Sequence, residues 1–210
     1  MRRVLLALLA TLAACSAIEP SPEVVASDLT NWHSVVTSDD RIRLRDWRQS
    51  FLDALAEAEK SGHAADIARE GALLEPDAAL ADGSIPNGLY RCRTIKLGAN
   101  PPGTLSYVTF PPSRCEIRQE GKRQMFARLT GPQRQIGTIF PSDGLRQVFL
   151  GTLVLGDETR AQHYGTDNQR NVAGYIERIG PNRWRMVIPS PSFESRLDVV
   201  ELVPARKECV

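Results

Sequence analysis

Residues 148–155 read Val-Phe-Leu-Gly-Thr-Leu-Val-Leu, and this segment is apolar at both its odd and its even positions. Successive side chains of an extended strand lie on opposite faces of a sheet, so the segment presents two apolar faces. One face belongs to the core that the sheet encloses, and another layer must cover the second face. The segment therefore predicts a sheet with an amphipathic helix packed on its outer side.

On both sides of this segment, the chain from Gly88 onward alternates between apolar and polar residues with a period of two. Turn residues separate about eight such segments, which is typical of an antiparallel meander. Gly137, Gly151 and Gly174 lie inside predicted strands, where glycine permits the strong coiling of a small barrel. The predicted strands are 89–97, 114–119, 123–130, 134–140, 145–155, 171–179, 183–189 and 197–203.

Residues 27–87 have a helical period instead. Thr37 followed by Asp40 resembles a capping box, which predicts a helix over 39–60 that ends at Ser61-Gly62. A weaker helix is predicted over 64–73 and a short one over 76–80. The apolar stripe of the long helix has the spacing of core packing. Its members are Leu44, Trp47, Phe51, Leu55 and Ala58, widened by Ile42 and Leu52.

These patterns predict an α+β fold. N-terminal amphipathic helices over 27–87 pack on a C-terminal antiparallel β-meander over 88–205. The meander is expected to close into a small eight-stranded barrel, with a strongly curled sheet as the alternative.

The N-terminus predicts export. Residues 1–14 have a basic start, an apolar run too short to span a bilayer and small residues before Cys15, as in a lipoprotein signal peptide. A diacylglycerol on Cys15 would anchor the chain to a membrane, with 15–26 as a flexible tether. We therefore expect an envelope lipoprotein facing the periplasm, at the outer rather than the inner membrane. An ordinary signal peptide with an incidental cysteine is the alternative.

Charge is distributed unevenly along the chain. Residues 15–87 carry 6 basic and 14 acidic side chains, whereas residues 88–210 carry 18 basic and 11 acidic ones. The two parts either dock on each other or leave a basic face for lipid head groups or an acidic partner. No nucleic acid is expected as a partner of an exported protein.

Three cysteines remain if Cys15 is lipidated. Cys92 and Cys115 lie in neighbouring predicted strands, and we expect a disulfide between them, with Cys209 free or bonded to another chain. The three histidines are far apart in sequence and no Cys-x-x-Cys occurs, so no metal or other cofactor is predicted.

The connection over 156–171 is the richest in side chains that can bind or react. Long loops in compact domains are often functional. The loop is interpreted as a solvated hairpin with internal salt bridges, as a ligand-or-partner site, or as an acid–base site using Asp157, Glu158 and His163. Calcium binding is disfavoured, because the oxygen ligands lack a known spacing. The candidates are Asp157, Glu158, Arg160, His163, Tyr164, Asp167, Asn168 and Arg170.

Several motifs resemble a known family. They are Gly88-Leu89-Tyr90-Arg91-Cys92-Arg93-Thr94-Ile95-Lys96-Leu97-Gly98, Phe149-Leu150-Gly151-Thr152, Leu155-Gly156-Asp157-Glu158, Tyr164-Gly165, Glu177-Arg178, Arg183-Trp184-Arg185, and Glu194-Ser195 with Leu197-Asp198-Val199. With the lipobox and the Trp47 helix, the chain resembles a domain-of-unknown-function family of exported proteins from Gram-negative, largely alphaproteobacterial, species. That resemblance implies no activity and no catalytic residues.

Two classes of function remain. The first is a non-catalytic binding module for a small hydrophobic ligand or another envelope protein, and this class is favoured. The second is a hydrolase-like enzyme with its site in the 156–171 loop, although neither a Gly-x-Ser-x-Gly elbow nor a phosphate loop is present. Tyr90, Tyr107, Tyr164, Tyr175 and Trp184 either line a cavity of the barrel or fill its core.

Overall fold

Eight antiparallel strands close into a barrel in the computed structural model, which describes residues 30–205. Each strand pairs with the next along the chain, and β9 returns to pair with β1, so the predicted barrel is confirmed. A ninth, short strand, β2, pairs only with β1. The strands are β1 Gly88–Ala99, β2 Tyr107–Thr109, β3 Ser113–Glu120, β4 Arg123–Arg128, β5 Gln133–Pro141, β6 Arg146–Leu155, β7 Asn171–Gly180, β8 Arg183–Pro189 and β9 Ser195–Pro204.

Strand β1 is shared between two neighbours on one side. Its first half, from Gly88 to Cys92, pairs with β3, whereas its second half pairs with β2 around Lys96. On this side of β1, the neighbouring strand therefore changes from β3 to β2 halfway along its length. The connections 100–112, 129–132, 156–170 and 190–194 all lie at the end of the barrel where β1 finishes, and we call this end the mouth.

The helical segment differs in detail from its prediction. The long helix is two helices that meet at Asp46, because the first packs on β7 whereas the second packs on β1, β8 and β9 around the curved wall. Ile42 and Leu52 are exposed rather than part of the stripe. Residues 76–80 form a turn and a bridge from Leu80 to Arg178, not a helix. The helices are α1 Trp32–Val35, α2 Ser38–Arg45, α3 Trp47–Ala58 and α4 Ala64–Glu70, with a π-helical turn Glu59–His63 and a 3₁₀ turn Gly71–Leu73.

The helical segment covers the apolar outer face of β6, as the sequence predicts. Val148 and Leu150 of that strand pack with Val36 and with Leu44 of α2. All four side chains are at least nine-tenths buried. The two-faced strand is therefore explained by core on one side and helices on the other.

Arg185 joins the helical segment to the barrel. Its side chain is fully buried and pairs with the equally buried Glu177, while its guanidinium lies 5.2 Å from the ring centre of Phe51. Burial lowers the pKa of Arg185, and Glu177 opposes that shift. The same guanidinium donates to the carbonyls of Ala72, Leu73, Glu75 and Pro76.

Further ion pairs cross between the two parts. Glu70 of α4 pairs with Arg93 of β1, and Glu57 of α3 pairs with Arg196 of β9. The acidic helical segment and the basic barrel thus meet through opposite charges, as one of the two interpretations of the charge asymmetry expects.

The half of the barrel away from the mouth is filled with apolar side chains. The predicted disulfide between Cys92 and Cys115 lies there, beside the buried ring pair of Tyr90 and Trp184. Gly137 and Gly151 face each other across β5 and β6, and a Cβ on Gly137 would lie 2.3 Å from the Leu150 carbonyl oxygen. This close approach requires glycine and permits the tight curvature.

Candidate functional site

The inward faces of four strands change from apolar to polar toward the mouth. On β1, the buried Tyr90 and Cys92 are followed on the same face by Thr94 and Lys96. The same change occurs on three other strands, each time at a position two residues from an apolar one or from glycine. They are Arg128 after Phe126 on β4, Gln135 before Gly137 on β5, and Asp198 before Val200 on β9.

Lys96 is neutralised by two carboxylates. Its Nζ lies 3.0 Å from Asp198 Oδ2 and 3.5 Å from Glu194 Oε2. The hydroxyl of Ser195 donates to the other oxygen of Asp198. Lys96 and Asp198 are both more than nine-tenths buried, whereas Glu194 is exposed at the rim. This part of the site is therefore a polar network in which two carboxylates face one ammonium group.

Arg128 has a different environment. Its side chain is 8% exposed, and its two terminal nitrogens donate to hydroxyls, Nη1 to Ser113 over 3.1 Å and Nη2 to Thr94 over 2.6 Å. Its Nε has no hydrogen-bond partner among residues 30–205. Burial lowers the pKa of Arg128 to about 10, and only the more distant charge of Asp198 opposes that shift. Arg128 is therefore a buried cation without a carboxylate against it, and it remains charged at neutral pH.

A cavity of about 300 Å³ adjoins Arg128. Gln135 also borders it, and its buried Oε1 lacks a partner within the described part of the chain. The cavity is polar on its inner side and is bordered by Phe110 and Pro111 toward the rim. Its lining comprises Thr94, Lys96, Phe110, Pro111, Ser113, Arg128, Gly131, Pro132, Gln133, Gln135, Glu194 and Asp198.

A larger cavity of about 710 Å³ adjoins the first and shares Lys96, Phe110, Gln133 and Glu194 with it. Its apolar lining includes Leu105, Val108, Leu155 and Phe193. Leu105 is 71% exposed and Phe110 is 40% exposed. The mouth thus combines buried polar side chains with exposed apolar side chains at its rim, an arrangement that suits an amphiphilic molecule.

A family model described as a domain of unknown function, DUF4893, matches residues 32–202. The chain belongs to this family. The match begins at the first residue of α1 and ends within β9, so it includes both the helical segment and the barrel with its mouth. No match was found among curated proteins or solved structures. The family assignment is consistent with the resemblance in the sequence motifs, and its description names no activity.

The predicted 156–171 loop also lies at the mouth of this DUF4893 barrel. Glu158 pairs with Arg170, whose Nη1 is 2.8 Å from Glu158 Oε2, and the same oxygen accepts the Leu155 amide. The bond from Arg170 is the main reason that the pKa of Glu158 falls to about 2. Arg170 also borders a small cavity of about 30 Å³ that Lys96 and Gln135 line from the other side. This size corresponds to about one water molecule.

Other loop residues hold the loop on α2 or on itself. The Tyr164 hydroxyl donates to Asp40 Oδ2 over 2.6 Å and accepts from the Thr37 amide. Burial raises the pKa of Tyr164. The Asp167 side chain accepts the Gln169 amide and so forms a turn within the loop, and Asn168 approaches Asp39 at 3.4 Å.

Asp157, Arg160 and His163 are exposed, and their side chains make no hydrogen bond or ion pair within the region that the structure covers.

The described region also contains no group of three or more histidine, cysteine or acidic side chains that could hold a metal ion. None of its helices has the length and apolarity required to span a membrane. Cys15 and Cys209 lie outside the described residues.

Lys96, Arg128, Gln135 and Asp198 are not among the site residues predicted from the sequence, although Lys96 and Asp198 lie in motifs of the family resemblance. Their signal is positional, because each lies on the period-two face that carries buried apolar residues elsewhere in its strand. A polar residue at such a position is either satisfied internally or available to a ligand. Strand register was needed to see that these four positions meet at one end of the barrel.

Proposed function

We propose that this protein is a non-catalytic binding protein that holds a small amphiphilic molecule at the mouth of its barrel. The observation that carries the proposal is the division of the barrel interior. One half is filled by apolar side chains, and the other contains a cavity with two buried polar atoms, Arg128 Nε and Gln135 Oε1, that lack partners among residues 30–205.

An occupant of the mouth would lower the free energy of both the polar and the apolar groups there. A buried polar atom without a hydrogen bond costs about 1–3 kcal/mol, and a ligand that supplies the bond recovers this free energy. The exposed side chains of Leu105 and Phe110 would be removed from water by the apolar part of the same ligand, at about 25 cal/mol per Å². Both ends of an amphiphile therefore find favourable contacts at the mouth.

The proposed cellular setting follows from the N-terminal sequence. Residues 1–14 act as a lipoprotein signal peptide, Cys15 carries the lipid anchor and 15–26 tether the domain to the outer membrane, facing the periplasm. In this setting the mouth would take its ligand from the envelope of a Gram-negative, largely alphaproteobacterial, cell. Another envelope protein could contact the exposed loop residues Asp157, Arg160 and His163 at the same end.

Binding is favoured over hydrolysis in the loop by the state of its carboxylates. With its pKa near 2 and its oxygens bonded to Arg170 and Leu155, Glu158 has no proton to donate at neutral pH. His163 is exposed, and no carboxylate within the described residues orients it. The loop therefore resembles the border of a binding site more than an acid–base catalytic site.

Native mass spectrometry tests the proposal. The chain from Ser16 onward retains every residue of the described barrel and helices, and it would be exported to a periplasm and purified without detergent. We expect a bound molecule of small mass in the wild type. Gln133→Trp should abolish it, because Gln133 lines all three mouth cavities and a bulky ring would fill them.

Gln119→Trp is the matched control, because Gln119 is exposed at the end of β3 away from the mouth. It should retain the bound molecule. A wild-type protein that is free of any bound molecule, or equal loss in both tryptophan variants, would count against a ligand at the mouth.

A further inference from the structure

Arg128 carries a positive charge, and none of the carboxylates at the mouth contacts it to balance that charge. Lys96, by contrast, has Asp198 and Glu194 within 3.5 Å. The nearest partners of Arg128 are two neutral hydroxyls, those of Ser113 and Thr94. The mouth cavity therefore has a buried cation whose direct side-chain partners are neutral hydroxyls, within a lining whose four charged residues sum to zero.

A second buried arginine shows how this chain neutralises a guanidinium when the role is structural. Arg185 is as deeply buried as Arg128, yet it pairs with Glu177 and donates to four backbone carbonyls. Arg93, whose side chain is 23% exposed, pairs with both Glu70 and Glu201. Arg128 departs from this pattern, and it does so beside a cavity.

We propose that the mouth selects amphiphiles whose head group is a carboxylate, and that Arg128 recognises this head group through its unpartnered Nε. This inference rests on the proposed function and names the ligand class of the same site. A carboxylate and a guanidinium form paired, charge-assisted hydrogen bonds along one edge of the guanidinium. The alkyl part would then lie along Phe110 and the apolar lining of the outer cavity.

The charge count at the mouth favours a carboxylate over a phosphate monoester. Asp198 and Glu194 together more than offset Lys96, so Arg128 is the one cation lining this cavity that no carboxylate contacts. A phosphate monoester carries more than one negative charge at neutral pH and would also face Asp198 and Glu194. A carboxylate carries one negative charge and has the planar shape that matches the guanidinium edge.

Isothermal titration calorimetry with four ligands of equal chain length tests the selectivity. The ligands are decanoate, decanol, decyl phosphate and decyltrimethylammonium, titrated into the chain from Ser16 onward. We expect decanoate to bind about tenfold to hundredfold more tightly than decanol. This ratio corresponds to the free energy of the charge-assisted hydrogen bonds that decanol cannot form with Arg128. Decyl phosphate should bind more weakly than decanoate, and the cationic ligand most weakly.

Two variants assign the selectivity to Arg128. Arg128→Gln removes the charge and should bring the affinity for decanoate down to that for decanol, with little change for decanol itself. Arg118→Gln is the control, because Arg118 is 46% exposed on β3 and does not line the mouth cavities. It should leave all four affinities unchanged.

The outcomes separate the inference from the proposed function. If decanol and decanoate bind the wild type equally, the carboxylate preference is wrong although the mouth still binds amphiphiles. If decyl phosphate binds more tightly than decanoate, the head-group class is wrong. If none of the four ligands binds and no bound mass is found, both proposals fail. The wild-type comparison needs no variant, so it stands even if Arg128→Gln does not fold.

Discussion

The two halves of the barrel interior are built by the same eight strands, yet they have different contents. Away from the mouth, the interior contains a disulfide and edge-on ring pairs such as Phe126 with Phe149. At the mouth, the same inward faces carry Thr94, Lys96 and Arg128 around a cavity of about 300 Å³. The apolar packing inside this small barrel is thus concentrated in one half, which leaves the other half available for binding.

The sharpest test of this division is to remove one phenylalanine from each half. Phe149 is fully buried in the filled half, so Phe149→Ala should lower the free energy of unfolding by about 3–5 kcal/mol. Phe110 is 40% exposed at the mouth, and Phe110→Ala should lower the free energy of unfolding by less than about 1 kcal/mol. Urea denaturation followed by circular dichroism measures both. Equal losses would mean that the mouth carries as much stability as the core.

The next largest effect concerns the disulfide of the filled half. Cys92 and Cys115 are 23 residues apart, and the chain-entropy estimate gives about 3 kcal/mol for a loop of that size. The double change of both cysteines to alanine should lower the free energy of unfolding by about that amount in a denaturant titration. A barrel that tolerates the change without loss would place its stability elsewhere.

At the mouth, replacing Arg128 is expected to raise the free energy of unfolding rather than lower it. Arg128→Met replaces a buried charge that lacks a carboxylate with an apolar side chain of similar length. We expect the free energy of unfolding to rise by about 1 kcal/mol while decanoate affinity falls, because binding sites are often held at a cost in stability. Thermal denaturation in the absence of ligand measures the first effect. A large destabilisation would show that Arg128 is mainly a structural residue.

The smallest expected effect is a pH dependence at the loop beside the mouth. The pKa of Glu158 is about 2 in the folded chain and near 4.5 when unperturbed, so the folded state favours the carboxylate. Its contribution to stability is present above pH 4.5 and is lost as the pH falls toward 2. Glu158 is partly exposed, so the contribution is small and decreases with salt.

Glu158→Gln should therefore be slightly less stable than the wild type at pH 7, and the difference should shrink below pH 4.5 and vanish as the pH falls to about 2. Denaturant titrations at several pH values measure this difference. His163→Ala, a change at an exposed loop residue, is the control. If the difference in stability between Glu158→Gln and the wild type does not depend on pH, the ion pair between Glu158 and Arg170 does not cause it.

Local patterns were sufficient for most of the fold. Alternation and turn residues predicted eight strands with ends close to those observed, and the two-faced segment 148–155 predicted the helical cover on β6. The disulfide followed from two cysteines on neighbouring strands. The break at Asp46 and the strand β2 were missed, because the curvature of the barrel wall and the pairing partner of a three-residue segment are not properties of a local sequence window.

The candidate site was predicted only in part. The 156–171 loop does lie at the mouth, and Arg170 does line one of its cavities, but Tyr164 and Glu158 serve mainly to hold the loop in place. The buried polar groups were not recognised, because a polar residue in a strand ordinarily indicates the solvent side. Only the register shows that these groups lie inside the barrel.

The sequence by itself determined the strands, the turns, the disulfide and the need for a helical cover, because each of these depends on residues that are near one another or on a simple period. The tertiary structure alone decided which inward positions meet. Lys96 and Asp198 are 102 residues apart, and they come together because β9 closes the barrel on β1. Closure also turns the inward face of each strand toward the same enclosed volume. The site at the mouth is therefore a property of barrel closure, which no single segment encodes.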